Sequence, residues 1–265
     1  MNLLWTGGWD STFRLLQLLL LYRLPVVPYY LEDPTRASTP VELRTIERIG
    51  AHLRATYPHV RGLLQPLRVA TTASVAPVAE IDAALDEIRE RVFIGSQYAW
   101  LPAFCRQRGI ADMEIGVHLD DKVRTLVRPY ALEFAHPGGF RSVRVDPAYA
   151  DTAEFRLFRY FSFPLFHLDK RTMARLAAAE GWSAIMDMTW FCHSPVRGAP
   201  CGICAPCVYT IEEGLAYRVP APRRALSLLY RRLVLPLKDP SRRIRRALRG
   251  QCEARRRIAP RVEER

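Results

Sequence analysis

The sequence predicts an α/β protein built on a mostly parallel sheet, followed by a four-cysteine segment and a basic tail. Three observations predict it. Short apolar runs alternate with segments of helical periodicity from the first residues onward. Four cysteines, Cys192, Cys201, Cys204 and Cys207, crowd into sixteen residues. The net charge of +12 is concentrated in the last stretch of the chain.

The first strand is "NLLW" at 2–5, and after the turn "TGGWDS" (Thr6–Ser11) the run "STFRLLQLLLLYRL" has helical periodicity. "VVPYYL" at 26–31 reads as a second strand and "VELRTIERIGAHLRATY" at 41–57 as a helix, a βαβ start that favours parallel pairing. Residues 80–109 supply further helix, and "DMEIGVH" at 112–118 is the third strand, running into Gly116. The stretch 128–153, with "HPGGF" and "VDPAYAD", reads as loop and shows no clear order. "FSFPLFHLDKRTMARLAAAEGW" at 161–182 then gives a short strand, a turn at Pro164 and a helix beginning at Asp169 or Lys170. The expected organisation is a core domain over 1–185, a cysteine-rich segment over 186–220 and a tail over 221–265.

Charge narrows the function classes once it is divided along the chain. Residues 221–265 hold 15 Lys+Arg against 4 Asp+Glu, whereas the first 220 hold 24 against 23. The basicity therefore belongs to the tail, which reads first as a solvated or partner-covered arm, with contact to RNA or DNA phosphate, and then to an acidic membrane surface, as the alternatives. The longest apolar run, "LLQLLLLY" at 15–22, is too short to span a bilayer, and no charged n-region precedes an apolar stretch. The expected location is the cytoplasm.

A glycine-rich turn between first strand and first helix points N–H groups at the positive end of the helix dipole, which stabilises phosphate. "TGGWDS" lacks the Gly-Lys-Ser/Thr of a Walker loop and the third glycine of G-x-G-x-x-G. The remaining match is the S-G-G-x-D-S loop of ATP pyrophosphatases, with Thr6 in place of the first serine. The cysteines carry a second signal. Cys201-x-x-Cys204-x-x-Cys207, with Cys192 a loop away, suits one tetrahedral Zn²⁺; the same spacing also serves a [4Fe–4S] cluster. Four thiolates leave no open position, so such a centre braces the fold.

Together, "TGGWDS" and "TWFCHSPVRGAPCGICAPC" resemble the 7-cyano-7-deazaguanine synthases, members of the PP-loop ATP pyrophosphatase (adenine nucleotide α-hydrolase) superfamily, which carry a T-W-S-C segment followed by C-G-x-C-x-x-C. "GVHLDD" at 116–121 is similar to that family's strand-end Gly-Val-Asn and following Asp, and "FPLFHLDKRTMARLA" to its Pro-Leu segment leading into a Lys-headed helix. The resemblance spans roughly residues 2–217. It implies a three-layer, Rossmann-like (HUP-type) fold, with ATP, Mg²⁺ and Zn²⁺ as cofactors. It further implies adenylation of a deazaguanine carboxylate and displacement of AMP by ammonia, giving amide and then nitrile. Asp10, Ser11 and Lys170 would be catalytic, and Thr6, Gly7, Gly8, Trp9, Asp10, Ser11 and Gly116 would contact ATP. Arg36, Glu42, Gln97 and Asp121 would face the small-molecule substrate, and Cys192, Cys201, Cys204 and Cys207 would hold the metal.

The resemblance is uneven. "YYLEDPTRASTPVE" stands where the family has Asp-Tyr-Gly-Gln-Arg-His, Gly95-Ser96-Gln97 where it has Gly-Arg-Asn, and "KVRTLVRPY" where it has Tyr-Pro-Asp-Cys-Arg. The nucleotide half is kept and the substrate half is not. A tRNA-base adenylating enzyme, or an ATP-binding subunit of an antiphage-defence complex, therefore stands beside the synthase reading, with a homodimer or an operon-partner complex as the expected assembly. His118, His136, His167 and His193, and Trp5, Trp182 and Trp190, read as structural residues. Cys105 reads as a buried thiol and Cys252 as an exposed one in the tail.

Overall fold

A computed structural model describes residues 1–234 of the chain. Cys252 and most of the basic tail lie outside the described residues. Two units are distinguished, Met1–Gly198 and a second beginning at Ala199.

The first unit is an α/β domain. Strands β1 (Asn2–Leu4), β2 (Val27–Glu32), β3 (Arg68–Thr71), β4 (Met113–Glu114) and β7 (Phe161–Ser162) form one sheet in the order β3-β2-β1-β4-β7. Every pairing is parallel. The chain's first strand is therefore central, and the strand order reverses between β1 and β4. In open α/β sheets, ligands bind at such a point, outside the carboxyl ends of the strands.

Both faces of the sheet are covered, as parallel strands require. Helix α1 (Trp9–Leu16) continues as a π-helical turn over 17–21, and its apolar residues, Phe13, Leu15, Leu16, Leu18 and Leu19, are fully buried. Helix α2 (Thr39–Thr56) starts with Pro40 in its first turn and buries Ile46, Ile49 and Leu53, spaced to fall on one side. After the single turn α3 (Val60–Leu63) and β3, helices α4 (Ala79–Arg91) and α5 (Leu101–Gln107) follow. Acids stand in the first turn of α4 and arginines in its last, matching the helix dipole. Ile81, Leu85 and Ile88 of α4 and Phe104 of α5 share one core with Tyr29 and Leu31 of β2. The intervening Tyr30 hydrogen-bonds Glu42 of α2 instead, so alternate residues of one strand serve opposite layers.

Two expectations needed revision. No strand was expected over 68–71, although β3 forms the sheet edge there. The stretch 128–153 contains, after helix α6 (Lys122–Val127), an antiparallel hairpin of β5 (Ala131–His136) and β6 (Phe140–Val145). Its strands "ALEFAH" and "FRSVRV" flank Pro137-Gly138-Gly139, and Gly139 takes φ +86° as it closes onto the carbonyl of His136. The hairpin is fastened beside β7 where Phe163 N donates to Val143 O at 2.7 Å. Helices α7 (Ala153–Phe158), α8 (Lys170–Ala179) and α9 (Ser183–Asp187) complete the unit. Trp182 meets Phe13 of α1 edge-on at 6.1 Å.

The second unit carries the last three cysteines of the cluster, then α10 (Ala205–Glu212) and α11 (Ala221–Leu233).

Candidate active site

The turn Thr6–Gly8 leaves β1 at the reversal of strand order and opens α1. Trp5 prolongs the strand by donating to Tyr29 O at 2.9 Å, and its indole donates to Thr12 Oγ1 at 3.1 Å. Gly7 then turns into the left-handed region, at φ +70°, and Gly8 is the extended N-cap residue. No side chain caps α1, so the first-turn N–H groups keep their capacity to bind an anion. The Ser11 hydroxyl accepts from Thr6 N at 3.3 Å and lies 3.4 Å from Thr6 Oγ1. The conservative Thr6 thus keeps the hydroxyl-to-hydroxyl contact a serine would make. Gly7→Ala would place its Cβ 3.2 Å from Ile46 and 3.3 Å from Thr45 while strained in backbone. It is expected to cost about 1–3 kcal/mol in denaturant unfolding and to weaken nucleotide binding.

Two other strand ends deliver partners to this loop. Lys170 is the first residue of α8, after β7, with Asp169 as its N-cap accepting from Thr172 N at 2.6 Å. Its Nζ stands 4.0 Å from Oδ2 of Asp10. The other carboxylate oxygen, Asp10 Oδ1, is buried with no hydrogen-bond partner among the described residues. Gly116, beyond β4, backs directly onto Asp10: a Cβ there would lie 3.0 Å from the Asp10 Cβ. Any larger residue would push the acid out of place, which is why glycine stands here.

Asp121 caps α6 by accepting from Val123 N at 2.8 Å. Burial raises its pKa, opposed by that hydrogen bond and by the charges of His118 and Lys170; Asp10 adds to the rise. The segment carrying Gly116, His118 and Asp121 is held against the one carrying Lys170 by Leu119 N to Leu168 O at 2.8 Å and Arg124 Nε to Phe166 O at 2.9 Å. Asp10, Asp121, His118 and Lys170 thus form one electrostatic group at the mouth of the loop.

The remaining sequence candidates are placed differently. Trp9, first in α1, is buried. Glu42 is buried too, accepting from Tyr30 OH at 2.8 Å and Ser38 Oγ at 2.6 Å, with Arg36 at 3.9 Å. These contacts fasten the start of α2 to β2. Burial and the Glu42 charge push the Tyr30 phenol well above its ordinary range. Gln97 is exposed on the 3₁₀ turn Ser96–Ala99, beside Tyr98, whose buried phenol is raised by desolvation and by the Asp121 charge.

The sulfur atoms of Cys192, Cys201, Cys204 and Cys207 all lie within 4.8 Å of one another, a group that could hold a metal ion. Cys201 and Cys207 are 3.9 Å apart, and Cys204 N donates to Cys201 Sγ at 3.3 Å. Donor type and spacing fit a tetrahedral thiolate site.

Two features escaped the sequence reading. Trp190, read as a packing residue, donates its backbone N–H to Gly7 O at 2.9 Å and its indole N–H to Cys192 O at 2.7 Å. It also lines a groove of about 520 Å³ with Arg44, Thr45 and Arg48 of α2. Arg14 and Glu114 form a bidentate pair, both bonds at 2.7 Å, with side chains 3% and 1% exposed. The signal was available as an arginine inside the apolar "FRLL" and a glutamate inside "DMEIG".

No family model matches the chain, and no curated protein matches it. Among solved structures, the chain is similar to the U34-tRNA thiolase NcsA from Methanococcus maripaludis, solved with its [4Fe-4S] cluster. That likeness covers 88% of this chain and 71% of the other, at 13% sequence identity and a TM-score of 0.41.

Proposed function

We propose that the protein is a PP-loop ATP pyrophosphatase that activates an acceptor carboxyl or carbonyl oxygen by transferring AMP to it. The observation that carries this reading is the meeting of a capless helix N-terminus with Asp10, Lys170 and Gly116 at the reversal point of a parallel sheet. The N–H groups of the loop and the Ser11 hydroxyl would receive the β- and γ-phosphates. Lys170 would stabilise the negative charge that develops as the bond between α-phosphorus and the bridging oxygen breaks and the acceptor oxygen bonds to phosphorus. Pyrophosphate leaves, and a nucleophile then displaces AMP. The buried, unpartnered Oδ1 of Asp10 fits a bound Mg²⁺, which would supply charge neutralisation on the phosphates, with Asp10 and Asp121 as the nearby carboxylates.

For the acceptor, the resemblance to 7-cyano-7-deazaguanine synthases favours a flat heteroaromatic carboxylate, with ammonia as the nucleophile. The groove beside the loop offers such a ligand the aromatic face of Trp190 and the charge of Arg44, beside Glu47 and an Arg48 that already donates to Met188 O at 2.7 Å. The test is incubation with ATP, Mg²⁺, ammonium and 7-carboxy-7-deazaguanine, reading AMP and nitrile by mass spectrometry. AMP together with nitrile is expected. AMP without nitrile would reject this acceptor, and no AMP with any acceptor, tRNA included, would reject the activation chemistry.

The thiolate group is proposed to hold Zn²⁺. Zn–S bonds of about 2.3 Å place tetrahedral sulfurs roughly 3.8 Å apart, close to the 3.9 Å between Cys201 and Cys207. A cubane of four irons and four sulfides spreads its thiolates further than a single ion does. Purified protein is therefore expected to be colourless, with about one zinc per chain by elemental analysis. A brown protein with visible absorbance would assign an iron–sulfur cluster instead.

A further inference from the structure

We propose that helix α11 lies on the surface of an anionic lipid bilayer. The helix is amphipathic in an unusual sense, because its apolar stripe faces outward. Leu226, Leu229 and Leu233 recur at helical spacing and are 40%, 56% and 65% exposed, while Leu228, 47% exposed, stands apart from them on the side of Arg224 and Arg232. At about 100° per residue Leu226, Leu229 and Leu233 fall within roughly 60° of one another around the axis. The inward side is polar: Ser227 is 1% exposed, and Arg223 and Tyr230 are half-buried beside it. Two contacts within the second unit fix this orientation. Arg231 bonds Glu212 of α10 at 2.9 Å, and Gly202 packs so tightly on the Arg223 carbonyl that no Cβ would fit between them.

A surface helix ordinarily turns its leucines toward the core. This one spends its polar side there and offers its leucines elsewhere, so those leucines need an apolar environment from outside. Its charge specifies what else that environment must offer. α11 holds four arginines and no acid, with Arg224 and Arg232 exposed, and the sequence beyond it adds eleven Lys+Arg against four Asp+Glu. A nucleic acid would satisfy the arginines and give the leucines nothing, and a neutral apolar protein face would do the reverse. An anionic bilayer meets both demands, taking the leucines into its acyl boundary and the arginines at its headgroups. Thirteen residues, about 20 Å of helix, are too few to cross a bilayer. No helix among the described residues is long and apolar enough to do so, which leaves a helix lying in the plane of the interface.

The test is co-sedimentation of the full chain with vesicles of phosphatidylcholine alone, or of phosphatidylcholine mixed with phosphatidylglycerol. Binding to the mixed vesicles only, weakened by added salt, is expected. The triple substitution Leu226→Ser, Leu229→Ser, Leu233→Ser should lower partition about tenfold or more. Its thermal unfolding should stay within a few degrees of the parent, because Leu229 and Leu233 are mostly exposed and Leu226 partly so. The pair Arg224→Gln, Arg232→Gln should also weaken binding while leaving the leucines in place. Undiminished partition of the triple variant would overturn the proposal. So would RNA binding without vesicle binding, or self-association abolished by the serines with no partition of the parent. None of these outcomes depends on ATP chemistry.

Discussion

Replacing Lys170 with Ala is expected to lower the rate of ATP-dependent pyrophosphate release by about two to three orders of magnitude, the usual cost of removing a preorganised charge-stabilising donor. Asp10→Asn should reach a similar loss by a different route. Its carboxylate combines a buried, unpartnered Oδ1 with an Oδ2 only 4.0 Å from Lys170, so the amide removes the charge that places the lysine and would receive Mg²⁺. The two variants separate in the binding step. Lys170→Ala should leave ATP affinity, read by calorimetry with a non-hydrolysable analogue, closer to the parent value than its turnover. Asp10→Asn should shift the Mg²⁺ dependence of turnover to higher concentration. A parent-like pyrophosphate rate in both would remove the loop from the reaction.

The second large effect concerns stability. Arg14→Ala or Glu114→Ala should destabilise the domain by about 3–5 kcal/mol, because each leaves the other charge buried and uncompensated. At roughly 2–4 °C per kcal/mol for a domain of this size, the melting temperature should fall by about 10 °C or more. Arg14 also stacks on Phe140 at 4.1 Å, tying α1, β4 and the β5–β6 hairpin together at one side chain. The double replacement Arg14→Met with Glu114→Leu should recover most of the loss, since a well-packed apolar pair escapes the desolvation of two charges. A double variant as unstable as either single one would show that the stacking on Phe140 matters more than the charge balance.

What was legible in the sequence was whatever obeys a local rule. β1, β2 and their helices were visible because apolar period and turn chemistry agree there, and the thiolate group because cysteine spacing is set by metal geometry. β3, "RVAT", was missed because an edge strand of four residues that is only partly buried carries little hydrophobic pattern. The hairpin was missed because its turn residues, "PGG", and the nearby "VDPAYAD" suggested loop throughout, although "ALEFAH" and "FRSVRV" do alternate. The approach of Gly116 to Asp10, the Arg14–Glu114 pair and the hydrogen bond from Trp190 N to Gly7 O join positions far apart in the chain, where no local pattern reaches.

The sheet order also sets a timetable. β1 precedes the other strands of its sheet in the sequence, yet it is the central strand, and Asn2 waits for Met113 to fill its second side. During synthesis β1, β2 and β3 can already pair as neighbours, with α1 and α2 on them. In that intermediate the Thr6–Ser11 turn exists, but its backing glycine and its lysine have not yet left the ribosome. The Thr6–Ser11 turn is therefore made before Gly116 and Lys170, the residues that complete it, so the proposed ATP chemistry would wait until the first unit is nearly whole.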